Sequence, residues 1–229
     1  RRSFSGNIHL IFSHYHWDHI MGFPFFAPAF NPNNTLNFYS GHPGVEERLR
    51  YQQDPHHFPI DLDYLGCKKN YFDIDHEKGI EINGIQIKAL PLKHPGGSYS
   101  YRFNFPDGKS LVYATDGEYP TKSLEDQFCK YIDFFQNADL LIFDAQYTFP
   151  EAEISKADWG HSSANIGVEL AVSANIKHIA LFHHEPSSND FEIYNKLLSA
   201  RKYRKIYCDE KGKQPPKISL AMEDGIIIL

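Results

Sequence analysis

Cysteine, methionine and tryptophan are scarce: the 229 residues hold 3 Cys, 2 Met and 2 Trp. Cys67, Cys129 and Cys208 are odd in number and share no metal-ligand spacing, which argues against a disulfide framework. A reducing, cytoplasmic setting is therefore expected. No apolar run approaches the roughly 20 residues that a membrane helix needs. No signal-peptide pattern opens the chain, so no membrane partner is expected. Cationic excess is missing as well. With 23 Lys and Arg against 29 Asp and Glu the formal net charge is −6, which argues against a broad basic surface. On that ground a large nucleic acid is not expected as a partner. The one dense basic stretch, RKYRK from Arg201 to Lys205, reads as the end of a helix, where cations complement the dipole. Internal repeats and low-complexity segments are absent.

What is present is ordinary for a globular domain, with 41% hydrophobic and 23% charged residues. Aromatic residues reach 15%, including 18 Phe and 14 Tyr, so a ring-rich core is expected. A single domain over residues 1–229 is the natural reading of the length. The chain begins Arg1-Arg2 without Met, which suggests a fragment or a processed product.

Asn7–Phe12 (NIHLIF) and Thr35–Ser40 (TLNFYS) read as strands, and Val45–Gln53 as a helix ended by Pro55. Asn83-Gly84 between alternating apolar residues predicts a hairpin over Gly79–Leu90. A second hairpin joins Tyr99–Phe105 to Ser110–Thr115. Leu124–Asn137 reads as an amphipathic helix and Asp139–Asp144 as a buried strand. Ala164–Ala174 is a helix capped by Ser162 or Ser163. Ile176–Phe182 is a strand, Phe191–Tyr203 a helix, and Lys217–Leu229 a final hairpin turning at Asp224-Gly225. Strands with interspersed helices predict an α+β fold of two packed, mainly antiparallel sheets with helices outside.

Ser13-His14-Tyr15-His16-Trp17-Asp18-His19 carries the chemistry. Four side chains able to ligate a metal fall within six residues, just past a buried strand. His14 and His16 are spaced to face one ion, and Asp18 and His19 to turn toward a second. Imidazole and carboxylate suit zinc, iron or manganese, whereas a thiol-free set disfavours a structural zinc knuckle. A histidine-rich surface loop is the alternative. Three later positions repeat the arrangement of a ligand-capable residue after an apolar run: His94, Asp116 and His183. Each alone also fits a turn residue. Together with the first motif they predict a dinuclear centre whose ligands converge from strand ends.

This pattern resembles the metallo-β-lactamase superfamily, in which His14, His16, Asp18 and His19 stand as the His-x-His-x-Asp-His signature. The resemblance runs from Asn7 over essentially the whole chain. It implies an αββα sandwich in which His14, His16 and His94 hold one metal. Asp18, His19 and His183 then hold the other, with Asp116 bridging; His184 is the rival to His183. It also implies paired strands ahead of the first motif. Little precedes Ile8, so the domain is expected to be N-terminally incomplete, with a sheet edge exposed.

Gly160-His161-Ser162-Ser163 resembles the Gly-His-Ser-Thr segment of the phosphodiesterase branches of that superfamily, the transfer-RNA 3′-processing nucleases and phosphonate-pathway cyclic phosphodiesterases. Asp144 stands where the nuclease branch carries an acidic partner. A carboxylate beside an imidazole fixes its tautomer and favours its charged form, as a general acid requires. A helix N-terminal histidine among capping serines is the alternative for His161. The resemblance thus implies a phosphodiesterase in which two divalent metals activate water. Asp18 orients that water, and His161, supported by Asp144, protonates the leaving oxygen.

The processing nucleases' flexible Gly-Pro arm is not evident, so the expected substrate is small, such as a cyclic nucleotide. The aromatic loop Phe23–Phe30, with Tyr15 and Trp17, suits either base stacking or the core. Rival readings are a lactone, thioester or β-lactam hydrolase, an iron redox protein, and a metal-binding regulatory module without turnover. A homodimer is compatible with all of them.

Overall fold

The computed structural model describes residues 5–119 and 125–229, so Leu124 lies outside the described residues. The chain divides into two compact units, the first ending at Lys78 and the second beginning at Gly79.

Unit 1 contains β1 (Asn7–Phe12), a short α1 (Trp17–Ile20), β2 (Thr35–Ser40), α2 (Val45–Gln52) and β3 (Lys68–Asp73). The strands lie in the order β1-β2-β3 and both pairs are parallel. A parallel pair needs a crossover between its strands, which the segments carrying α1 and α2 supply. Leu36, Phe38, Val45, Leu49 and Leu62 form the unit's own apolar cluster. β3 has no strand-like pattern in sequence, being KKNYFD. It is held by cross-strand neighbours: Tyr71 stacks on Phe38 at 5.3 Å, Phe72 on Tyr39 at 4.9 Å, and the Asn70 amide donates to Asn37 Oδ1 at 2.8 Å.

Unit 2 contains β4 (Ile80–Ile82), β5 (Ile85–Leu92), β6 (Ser98–Asn104), β7 (Ser110–Ala114), α3 (Glu125–Phe135), β8 (Leu140–Asp144), α4 (Ala164–Ser173), β9 (His178–Phe182), α5 (Asp190–Lys211) and β10 (Lys217–Leu220). The sheet order is β10-β9-β8-β7-β6-β5-β4. Asn83 and Gly84 turn the first hairpin with φ of 52° and 80°, the left-handed pair that a tight two-residue turn requires. Ser163 caps α4, its side chain accepting from the Ile166 N–H. The core runs through Val112, Phe135, Leu141, Phe143, Val168, Leu170 and Ile179.

Three expectations need correction. Two sheets with helices are present, but pairing is not mainly antiparallel: only β4–β5, β5–β6 and β6–β7 are antiparallel, and β7–β8, β8–β9 and β9–β10 are parallel. Helices α3, α4 and α5 intervene between those parallel strands, and each crossover reverses the chain before the next strand starts. The last segment is not a hairpin. β10 pairs in parallel with β9, and Asp224, at φ 55°, turns a chain that makes no further strand among the described residues.

Nor is RKYRK a helix end, because α5 runs on to Lys211 and stops at Gly212 with φ 59°. Arg201 and Arg204 instead donate to the carbonyls of Ile218 and Pro216 at 3.0 and 2.6 Å, tying α5 to β10.

Candidate metal centre

The sheet of unit 2 explains why distant residues meet. β5 runs antiparallel to β6 and β6 to β7, so β5 and β7 point the same way. β8 and β9 are parallel to β7. The C-terminal ends of β5, β7, β8 and β9 therefore lie along one edge of the sheet, where open α/β sheets characteristically bind ligands. His94 follows β5, Asp116 follows β7, Asp144 ends β8 and His183 follows β9.

Asp144, fully buried, is the hub of this edge. Its carboxylate accepts from the backbone N–H groups of Asp116 at 3.0 Å, Gln146 at 3.1 Å and Ser162 at 3.2 Å. It also faces His161, with Nδ1 3.0 Å from Oδ2. An ionised carboxylate only accepts, so His161 carries its proton on Nδ1 and presents Nε2 outward.

His183 Nε2 is 3.2 Å from Asp116 Oδ1, and its ring stacks on that of His161 at 5.1 Å between centroids. Asp116 and His183 both hold left-handed backbone, with φ of 57° and 51°. Non-glycine residues adopt that conformation at a cost, and such positions cluster at functional sites. Asp116, Asp144, His161 and His183 each offer a donor atom, all within 4.8 Å of one another. His184 is outside this group. Burial first, and then the Lys196 charge, push its pKa below the usual imidazole value.

His94 joins the same edge, its ring 5.0 Å from that of His161. Its Nδ1 lies 2.8 Å from the Gly160 carbonyl, so Nδ1 donates and Nε2 keeps the lone pair. That second-sphere bond, from the non-ligating nitrogen to a carbonyl, is what metal-binding histidines normally make. Gly160 has φ 83°, and a Cβ there would fall 2.4 Å from His94 Nδ1. Only glycine fits. The role of Gly160 was not legible from its motif, because its partner lies 66 residues away.

Unit 1 places its four candidates together by local geometry alone. His14 follows β1, and His16 caps the helical turn that carries Asp18 and His19. The ring of His14 lies 4.5 Å from that of His16 and 4.3 Å from that of His19. His19 Nε2 lies 3.3 Å from Asp18 Oδ2. The aromatic loop divides between its two readings: Phe23 is buried in the core, whereas Phe25 and Trp17 are exposed at 74% and 60%. In both units the donors are imidazole nitrogen and carboxylate oxygen, a set that fits divalent metal ions.

Residues 3–184 match the family described as the β-lactamase superfamily domain, and the chain belongs to it. A curated relative, the ribonuclease Z of Picrophilus torridus, is 26% identical over 236 residues, covering 83% of this chain and 73% of its own. The metallo-β-lactamase fold protein YhfI of Bacillus subtilis aligns with a TM-score of 0.66 and 20% identity, over 93% of this chain and 73% of its own. The short form of human transfer-RNA nuclease Z aligns at 0.58 and 18%, over 78% of this chain and 73% of its own.

Family membership and the His/Asp donor clusters make this chain a metal-dependent hydrolase of the metallo-β-lactamase fold. These relatives overturn one expectation from the sequence. A small substrate, with large nucleic acids set aside, does not stand beside relatives named for ribonuclease Z. Net charge was the wrong guide, since it averages over the whole surface, while contacts with a polyanion depend on local cations. No described helix is long and apolar enough to cross a membrane.

Proposed function

We propose that this chain is a phosphodiesterase acting on RNA, with residues 1–229 working as one domain. The observation supporting this reading is the Asp144–His161 pair, in contact at 3.0 Å beside the donor cluster of Asp116 and His183. Opening a lactone or thioester has no evident use for it.

In this reading His14, His16 and His94 hold one metal. Asp18, His19 and His183 hold a second, with Asp116 shared. Zinc or manganese is the favoured occupant and iron the third candidate. Divalent ions in such a site lower the pKa of water toward neutrality and neutralise phosphate oxygens.

The chain's own residues do the rest. Asp18 orients the attacking water. Asp144 accepts from His161 Nδ1 and holds the ring, so that Nε2 delivers a proton to the leaving oxygen as the phosphorus–oxygen bond breaks. Asp144 acts through His161 and is a positioning residue.

The test is His161→Ala with metal content measured alongside turnover of bis-p-nitrophenyl phosphate, a short RNA, a lactone and a thioester. Diester and RNA cleavage are expected to fall about 10²–10⁴-fold with metal retained. Loss of metal would make His161 a ligand instead. Turnover of the lactone or thioester in preference to both diesters would end the phosphodiesterase reading.

A further inference from the structure

A cavity of about 750 Å³ opens in unit 2 between the segment after β8, the start of α4 and α5. Its size suits a small organic group such as a nucleotide. It shares a wall with the Asp144–His161 pair. Gln146 donates its backbone N–H to Asp144, and the ring of Tyr147 stands edge-to-face with that of His161 at 5.6 Å.

The charges lining it are already engaged by the chain. Glu151 accepts from Thr148 at 2.9 and 2.8 Å, and Glu192 from the Asn189 N–H at 2.9 Å. Glu185 faces Lys156 at 3.6 Å and accepts from Gln146 Nε2 at 3.2 Å. Lys196 donates to the Gln146 carbonyl at 2.6 Å. Acidic and basic groups thus answer one another, and the cavity favours neither an anion nor a cation.

What remains on offer is neutral and directional. The amide nitrogen of Gln146 must face the Glu185 carboxylate, so its orientation is fixed and Oε1 points away. Oε1 is buried and takes no hydrogen bond among the described residues. A buried acceptor of this kind is costly unless a ligand donor satisfies it. Asn165 and Asn195 add amides to the lining, and Phe149, 39% exposed, adds an aromatic ring. An aromatic ring beside directional amides is the equipment that proteins use to hold an unpaired nucleobase.

We propose that this cavity is a base-binding subsite, taking a nucleobase of the RNA strand against Phe149 with a base N–H donated to Gln146 Oε1. The inference rests on the phosphodiesterase reading for its place in the reaction. It names where the strand is gripped, in unit 2, next to His161. Every standard base has an N–H on its pairing edge and a stacking face, so the subsite tolerates sequence.

The experiment is isothermal titration of the full chain with AMP, CMP, GMP, UMP and ribose 5-phosphate, which share a sugar phosphate and differ in the base. All four nucleotides are expected to bind about tenfold or more tightly than ribose 5-phosphate. Phe149→Ala and Gln146→Leu should bring nucleotide affinity down toward that of ribose 5-phosphate, whose own affinity stays put. Phe149→Ala removes a half-exposed ring, so folding is not at issue for that variant.

Equal binding of all five ligands by the unaltered chain, or nucleotide binding indifferent to Phe149→Ala, overturns the subsite. Hydrolysis of bis-p-nitrophenyl phosphate on the same preparation separates the two readings. Diester turnover without base preference sinks the subsite alone. Base preference without diester turnover sinks the phosphodiesterase reading and keeps the cavity as a nucleotide site.

Discussion

The two units assemble their candidate ligands by different means. In unit 1, His14, His16, Asp18 and His19 lie within six consecutive residues, and one strand end followed by a helical turn brings their rings together. In unit 2 the corresponding side chains stand on separate segments from His94 to His183, and they meet because four strands end at one sheet edge. Unit 1 therefore depends on local backbone geometry, and unit 2 on the register of a whole sheet. A hub such as Asp144 is needed only in the second case, where one carboxylate ties the strand end at Asp116 to the loop at Ser162.

The largest effect expected from breaking this contrast comes at the hub. Asp144→Ala leaves three backbone N–H groups without their acceptor and should cost about 3–5 kcal/mol in urea unfolding. A loss under about 1 kcal/mol would mean that the edge of unit 2 does not depend on it. Leu36→Ala probes unit 1 in the same assay. Leu36 is fully buried in the smaller apolar cluster, and the expected cost is about 3 kcal/mol. Near-neutral behaviour there would show that unit 1 is held by something other than its core.

Gly160→Ala forces a Cβ into His94 at φ 83°, and we expect about 2 kcal/mol of destabilisation together with reduced metal occupancy. Full metal content in that variant would separate Gly160 from the centre.

The smallest effect concerns acid. Burial raises the pKa of Asp139, but Lys177 at 2.7 Å and the Ser110 N–H at 2.8 Å outweigh it and hold the carboxyl below its ordinary range. A depressed carboxyl stabilises the fold above its unfolded pKa of about 4, and that contribution fades as pH falls toward the folded value. Asp139→Asn should therefore lose stability at neutral pH and show a shallower acid limb below about pH 4. An unchanged slope in acid titration of stability would remove Asp139 from this account.

Much of unit 1 was legible because its signals are short-ranged. NIHLIF and TLNFYS became β1 and β2 with the bounds read from their apolar pattern, and the ligand motif lies on contiguous residues. β3 was not legible, because KKNYFD acquires its strand character from Phe38 and Tyr39 across the ladder. In unit 2 the Asn83-Gly84 turn announced its hairpin, since left-handed φ at two successive residues has few other solutions. The direction of β10 was illegible. A short apolar run looks the same whether it pairs parallel or antiparallel, and the contacts of α5 decide.

By itself the sequence determined the residue types available for the chemistry, nitrogen and oxygen donors without thiolates, and the local turns that present the first four of them. Tertiary structure alone decided that Asp144 would become a shared acceptor, that Gly160 would stand against His94, and that Gln146 would turn its Oε1 into a cavity. The reason is physical. Turn and strand preferences act over a few residues, whereas a hydrogen bond between positions 66 apart exists only once the sheet has fixed where each strand ends.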